Sequence, residues 1–434
     1  MRMVEPERVG AGAAGELLHN RRACLVAGLA AVVGAWAGPV GAASALQGQT
    51  LRMAFIDPLS GPIGEIGRNG LKSWQFMAEA LAGAQRAPGV RLVVAGFDNK
   101  GSPQESLNAL KAAIDQGFRV ILQGNGSGVA AAISDAVTRH NLRHPQRAVL
   151  YINYAAMDPV LTGEKCSHWH VRIDADTVMK TQALARFMAE QPALQRVHLL
   201  NQNYAHGQQF SQHFKQALAQ WRPDVMVVGD DLHPPFQGRD FTPYVDQMRR
   251  SGAQALVTAN WGVDLRDLVT SLVRRRMDIP MYAYYPSRPR VPTALAAAQG
   301  RFPVYQVACH HSNQPGAIGE LAQRFQQSTG ENLVIYAAHD GVAMLLQAMA
   351  RAGSTDPARL AEVLSGLRFQ GFDGPVQVRP EDHQLQIGVY LSRWQKVSSA
   401  YPVGAEGTGY TFAPVRHFEA AEISGLPACQ MRRP

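Results

Sequence analysis

The sequence predicts an α/β protein built as two doubly wound parallel-sheet lobes, and three observations carry that reading. From residue 51 onward, short β-branched runs alternate with longer amphipathic ones, the rhythm of strands covered by helices. Several of the strand candidates are continuously apolar, as strands buried on both faces are. The pattern restarts after residue 172, and two similar lobes explain this more simply than one very wide sheet.

Strands are expected at Leu51–Ile56, Arg91–Asp98, Arg119–Gly124, Ala148–Tyr154, Val197–Asn201, Val225–Gly229, Ala255–Asn260 and Met281–Tyr285. Between them, Ser102-Pro103-Gln104-Glu105 forms a capping box with proline at the first helical position, and Gly117 closes that helix. Asp158–Pro159 reads as a further cap. Thr242–Pro243 opens a helix that Gly252 ends, and Asp356–Pro357 opens another. Near Val376 the character changes. Pro375–Pro380 and Gln386–Trp394 read as strands with no full helix between them, so the last segment is expected to add a hairpin to one lobe.

Composition narrows the class. Of 434 residues 46% are hydrophobic and 18% charged, and the 40 glycines and 26 prolines follow no collagen period. That excludes a fibrous or disordered chain and a disulfide-dense miniprotein. At roughly 100–200 residues per domain, two or three domains are expected. The net charge is +8, but the basic residues are scattered, and the densest run, Arg274–Arg276, sits in a helical pattern. A surface that reads nucleic acid clusters its cations on one face, so no nucleic-acid partner is expected.

Residues 1–45 have the layout of a secretory signal peptide. Arg21–Arg22 precede an apolar core, Ala23–Ala37, and Ala43-Ser44-Ala45 offers an A-x-A-like cleavage site. The core is too short for a membrane span of ~20 residues. The twin arginines fit either export route, and the sequence leaves both open. The cleaved chain is expected in the periplasm.

The search for catalytic chemistry finds little. Gly124-Asn125-Gly126-Ser127-Gly128 follows a strand and precedes a helix, yet it lacks the Gly-Lys-Ser/Thr of a P-loop, the third glycine of a dinucleotide fingerprint and the spacing of a nucleophile elbow. What remains is a glycine-rich turn with a hydroxyl at a helix start, where free N–H groups suit a carboxylate or another polar group; Ser127 also reads as a helix N-cap. His168-Trp169-His170 and His310–His311 lack metal-ligand spacing. Asp174 and Asp176, and Asp230–Asp231, read as solvated loop carboxylates. No nucleophile, base and orienting group come together, so no enzyme, metal or cofactor is expected.

Met53–Pro62, followed by a helix at Gly67–Ala82, resembles the opening of the leucine/isoleucine/valine-binding family of periplasmic substrate-binding proteins. Gly117–Asp135 resembles that family's strand, serine-bearing loop and helix. Tyr154–Thr162 resembles its second ligand loop, Trp169–Ile173 its first crossing, and Asn201–Gly207 its tyrosine-bearing loop. The motifs come in family order over nearly the whole exported chain.

The resemblance implies a type I periplasmic binding fold, two lobes joined by three crossovers near 171–174, 305–310 and 370–376, closing on a small molecule like a flytrap. Residues 46–172 plus 309–373 would form the N-terminal lobe, and 173–308 plus 374–434 the C-terminal lobe. Family ligand positions fall on Ser60, on Asn125 and Ser127, on the Ala155 backbone, on Tyr204, and on Asn260 and Trp261. Two positions depart from the amino-acid binders: Met157 stands where they have a threonine, and Tyr285 where they have the glutamate that meets an ammonium.

The implied function is the binding component of an ABC importer, a monomer serving a permease and its cytoplasmic ATPase. A periplasmic sensor feeding a signalling receptor is the alternative, and an exported α/β hydrolase a third reading. Of the three cysteines left after processing, Cys166 and Cys429 are the expected disulfide, which would tether a terminal tail, with Cys309 a buried thiol.

Overall fold

A computed structural model describes residues 46–82, 89–238 and 240–434; the expected signal peptide, residues 1–45, lies outside them. Five parallel strands form the first sheet: β1 (Thr50–Asp57), β2 (Arg91–Asp98), β3 (Val120–Gln123), β4 (Leu150–Asn153) and β5 (His170–Arg172), in the order β2-β1-β3-β4-β5. Helices α1 (Gly64–Ala82), α2 (Pro103–Asp115) and α3 (Ser127–Arg143) connect them. Every residue of β3 and β4 is buried, because helices cover both faces.

The second lobe starts with α4 (Thr177–Ala189) and repeats the scheme. Its strands β6 (Arg196–Gln202), β7 (Met226–His233), β8 (Ala255–Thr258), β9 (Met281–Ala283) and β10 (Val304–Ala308) run in the order β7-β6-β8-β9-β10. The connecting helices are α5 (Ala205–Trp221), α6 (Thr242–Arg250), α7 (Val263–Arg275) and α8 (Val291–Ala296). After β10 the chain returns to the first lobe, where α9 (Ala317–Thr329) and α10 (Ala337–Ala352) pack on α1. Then follow α11 (Pro357–Leu364) and a small antiparallel sheet of β11 (Arg368–Gly371), β12 (Gly374–Val378) and β13 (Leu385–Gln386).

The chain enters the second sheet again at β14 (Val389–Lys396), which pairs antiparallel with β10, and ends with β15 (Tyr410–Phe418) and α12 (Ala420–Ile423). The last passage between lobes therefore falls between Gln386 and Val389, beyond the expected 370–376, because β11–β13 form a sheet of their own at the hinge. The second sheet is mixed rather than purely parallel. The expected hairpin partners also differ: β12 pairs with β13, while β14 pairs with β15.

Strands β10, β11 and β15 are not among those expected, and β5 is expected only as a crossing. Pro414 argues against a strand at 410–418, but β15 is the sheet edge, where a missing N–H is tolerated, and a register shift between Leu391 and Ser392 marks a bulge opposite it. The punctuation elsewhere acts as its chemistry dictates. Ser102 Oγ accepts from the Glu105 N–H at 3.4 Å, and Asp158 Oδ1 accepts from the Val160 N–H at 3.0 Å. Asp356 Oδ1 accepts from the N–H groups of Ala358 and Arg359. Each such cap stabilises its helix by about 1 kcal/mol.

At the hinge, Arg172 is fully buried and knits three segments. Its Nε donates to Gln384 Oε1 at 2.5 Å, Nη1 to the Asp158 carbonyl at 2.6 Å, and Nη2 to Asp176 Oδ2 at 3.1 Å. A disulfide joins Cys166 and Cys429, with Cα atoms 5.8 Å apart, and Cys309 is a buried free thiol. Among the described residues no helix is long and apolar enough to cross a membrane.

Candidate ligand-binding site

Both sheets share one strand order, and in each the order reverses at one place: between β1 and β3 in the first, between β6 and β8 in the second. Loops leaving the carboxyl ends of strands on either side of such a reversal splay apart and leave a crevice. The two crevices face one another here. A cavity between them is lined by Gly124–Ser127 and Ala155–Met157 from the first lobe, and by Tyr204, His206, Trp261, Tyr285 and Arg288 from the second.

The first-lobe wall is set by Asp57, fully buried at the end of β1. Its carboxyl accepts from the N–H groups of Gly124 and Asn125 at 3.2 and 3.0 Å and from the Tyr154 hydroxyl, which clamps the loop after β3. Burial pushes the Asp57 carboxyl up to about 7, against the pull of these hydrogen bonds. Gly126 takes φ +95°, a conformation that favours glycine, and it caps α3; Ser127 is the first helical residue rather than the N-cap the sequence suggests. The Ser127 side chain is 4% exposed and its hydroxyl has no hydrogen-bond partner among the described residues.

The second-lobe wall is aromatic. Trp261 Nε1 donates to the Tyr204 hydroxyl at 2.7 Å, and the Phe236 ring stands edge-on to Trp261 with centroids 4.8 Å apart. Asp264 fixes this group from behind, accepting from Gln202 Nε2 and the Phe236 N–H, both at 2.7 Å. Ile63 and Ile66 of the first lobe pack on Trp261, and Glu65 pairs with Arg290 at 2.7 Å, so the rims of the two lobes meet. Deeper in, Met157 Sδ accepts from Lys180 Nζ at 3.0 Å and from the Tyr285 hydroxyl at 3.6 Å.

A second cavity shares Tyr285 and Arg288 with the first and is lined by Asp174, Lys180, Gln306 and Cys309. Its charges cancel in part: Lys180 Nζ lies 2.9 Å from Asp174 Oδ2, and Cys309 Sγ donates to Asp174 Oδ1 at 3.0 Å. Burial raises the Cys309 thiol well above its ordinary value, so it stays protonated.

Of the nine expected ligand residues, the fold brings seven together: Asn125, Ser127, Ala155, Met157, Tyr204, Trp261 and Tyr285. Ser60 is elsewhere, exposed, with Oγ donating to Asp98 Oδ2 at 2.5 Å. Asn260 is fully buried behind the wall, its Oδ1 bonded to the His233 ring at 3.1 Å. Arg288 and His206 line the cavity without having been singled out from the sequence. The only available signals were their positions, three residues after Tyr285 and two after Tyr204. Among the described residues no group of histidines, cysteines and carboxylates could hold a metal.

The helix that carries His206 has no room to move. A Cβ added at Gly207 would lie 2.0 Å from the Gln202 carbonyl oxygen, which already accepts from the Tyr204 N–H. Gly207→Ala is expected to destabilise the protein by about 1–3 kcal/mol and to displace both Tyr204 and His206. Denaturation and ligand titration of the variant check this, and unchanged values in both would contradict it.

Comparison with known proteins places these features in a family. A model of the periplasmic binding protein family matches residues 50–400. Leu/Ile/Val-binding protein homolog 4 of Brucella abortus (strain 2308) is 27% identical over 425 residues, covering 94% of this chain and 98% of the relative. In three dimensions the chain is similar to the leucine-, isoleucine-, valine-, threonine- and alanine-binding protein of Brucella ovis in its closed conformation, at TM-score 0.78 and 24% identity over 89% of this chain and 100% of that one. It is also similar to a solute-binding protein of an ABC transporter from Rhodopseudomonas palustris BisB5 in complex with 3,4-dihydroxybenzoic acid, at TM-score 0.72 and 17% identity over 86% and 98%.

Proposed function

The chain belongs to the periplasmic binding protein family, and on that premise we propose that it is the exported solute-binding component of an ABC importer. It would capture a small organic molecule between its lobes and deliver it to a permease driven by a cytoplasmic ATPase. The observation that carries this reading is the cavity itself, sited at both strand-order reversals and walled by both lobes, so that a ligand there binds the two lobes together. Ser127 and the Ala155 backbone would hold a polar end of the ligand, and Tyr204, Trp261 and Tyr285 would supply flat apolar walls.

The ligand would lack a free ammonium group. Burying an ammonium costs several kcal/mol unless a carboxylate or several acceptors meet it. Met157 and Tyr285 stand where an amino-acid binder offers such groups, and the adjoining carboxylate, Asp174, is already engaged by Lys180. Faces of aromatic rings alone recover only about 0.5–2 kcal/mol for a cation. The Brucella ovis neighbour is named for amino acids and the Rhodopseudomonas neighbour was seen with an aromatic acid. Between those two chemistries, this cleft is the better match to a compound without an amine.

A thermal-shift panel of leucine, valine, phenylalanine, aromatic acids, amides and alcohols tests this. A ligand at about 100 times its dissociation constant stabilises by ~2.7 kcal/mol, a readable shift. Saturable shifts are expected only from compounds without an amine. A shift with leucine or valine alone would reject the ligand class.

A further inference from the structure

Two groups in the cleft are left with hydrogen-bonding capacity that the protein does not use, and they are of opposite kinds. Arg288 is half-buried between the lobes, and among the described residues it has no carboxylate within ion-pair distance. A guanidinium carries five N–H donors, and here only Nη1 finds an acceptor, the Val334 carbonyl at 3.2 Å. Its carbon lies 5.6 Å from the centroid of the Tyr285 ring. With Lys180 and Asp174 paired, Arg288 leaves the combined cavities with one uncompensated positive charge.

His206 supplies the complementary feature. Its Nε2 lies 3.1 Å from the Ala259 carbonyl, and a carbonyl only accepts, so Nε2 carries the proton. Burial lowers the pKa of the ring to about 4, so it is neutral at pH 7. A neutral imidazole protonated on Nε2 presents a lone pair on Nδ1, and no described residue donates to it.

From this pairing we propose that the ligand is a flat carboxylate bearing a hydroxyl, with Arg288 and the Ser127 hydroxyl taking the carboxylate and His206 Nδ1 accepting from the hydroxyl. The inference rests on the binding-protein reading above and narrows it. A carboxylate suits a site with one uncompensated cation better than a phosphate dianion does. The bidentate geometry of guanidinium and carboxylate adds orientation to charge. The unpartnered Ser127 hydroxyl, at the start of α3, offers a further donor together with the helix N–H groups. Tyr204, Trp261 and Tyr285 then enclose a planar body.

The test compares 4-hydroxybenzoate, benzoate, 4-hydroxybenzyl alcohol and leucine by thermal shift and calorimetry on the exported protein and on Arg288→Met, Arg288→Lys, His206→Phe and Trp261→Ala. On the unaltered protein, 4-hydroxybenzoate is expected to bind about 10-fold more tightly than benzoate, and the alcohol at least about 30-fold more weakly than the hydroxyacid. Arg288→Met should weaken both acids about 30- to 100-fold, while Arg288→Lys, which keeps the charge, recovers part of the loss. His206→Phe should abolish the difference between the two acids, a result that general damage to the fold does not produce. Melting temperatures of the unliganded variants separate folding from binding.

Absence of binding by 4-hydroxybenzoate, or equal binding of the acid and the alcohol, overturns the inference. If leucine or the alcohol then binds and Trp261→Ala abolishes it, the cleft is still a binding site and only the ligand assignment fails. If the Trp261→Ala protein binds every active probe undiminished, the cleft reading fails as well.

Discussion

Replacing Cys166 and Cys429 by serine is expected to remove about 5 kcal/mol of stability. The bond closes a loop with a sequence separation of 263, and the chain-entropy model assigns about that figure to a loop of this length. The loss falls on a tail that little else holds. Gly425 accepts from Arg379 Nη1 at 2.8 Å, and Arg433 Nη2 donates to the Pro380 carbonyl at 2.7 Å, both exposed contacts near the hinge. Urea denaturation of the oxidised protein, the reduced protein and the double variant measures the effect, and the last two should agree. A loss below about 1 kcal/mol would show that packing alone seats the tail.

Acidification from pH 7 to pH 5 is expected to produce a loss of similar size. Burial pushes His170 down to about 3, with Arg172 and His383 adding to the effect. His383 is pushed to about 4 by burial, then by His168 and Arg433, and burial likewise takes His206 and His311 to about 4. These rings stay neutral in the folded protein and take up a proton near pH 6.5 in the unfolded chain. Their contribution is therefore fully present above pH 6.5 and is lost as pH falls toward 4.

At pH 5 this amounts to roughly 2 kcal/mol for each histidine, or about 8 kcal/mol for the four. Asp57 acts in the opposite sense. Because burial raises its carboxyl to about 7, its cost is greatest at and above neutrality, and acidification to pH 5 relieves about 2 kcal/mol of it. The histidines win, so the melting temperature should fall from pH 7 to pH 5. His170 stacks on Tyr151 at 4.9 Å, and neither of its ring nitrogens has a hydrogen-bond partner. His170→Phe should therefore fold at pH 7 and show a shallower pH slope. A melting temperature that rises on acidification would refute the assignment.

The parts of the fold legible in the sequence are those fixed by local chemistry. Ser102, Asp158 and Asp356 announce helix starts because a side-chain oxygen two or three residues ahead of an open N–H has one thing to do. The buried strands of both sheets show as apolar runs for a similarly local reason. What depends on partners far along the chain was harder to read. The antiparallel addition of β14 and β15 is set by an edge already occupied by β10, and Pro414 conceals it. In the site, the turn at Asn125–Ser127 shows as a glycine-rich stretch after a strand, whereas Tyr204, Trp261 and Tyr285 come from the family resemblance of their loops. Arg288 does not: an arginine in a loop is usually a solvated charge, and only the meeting of two lobes draws this one into the cavity, against the Val334 carbonyl. Asn260 shows the converse. It stands beside Trp261 at the end of β8, yet its side chain serves His233 inside the second lobe rather than the cavity.

Among the described residues Cys309 is the single free thiol, and it is buried with its proton directed at Asp174. Thiol-directed dyes would therefore pass it by and mark any cysteine placed on the surface. Glu65 and Arg290, paired across the mouth of the cleft and both well exposed, are the places to put one. A fluorophore attached through Glu65→Cys would lie against the opposite lobe when the mouth is shut and face water when it opens. Its emission would then report occupancy continuously, and the protein would serve as an optical probe of its own solute.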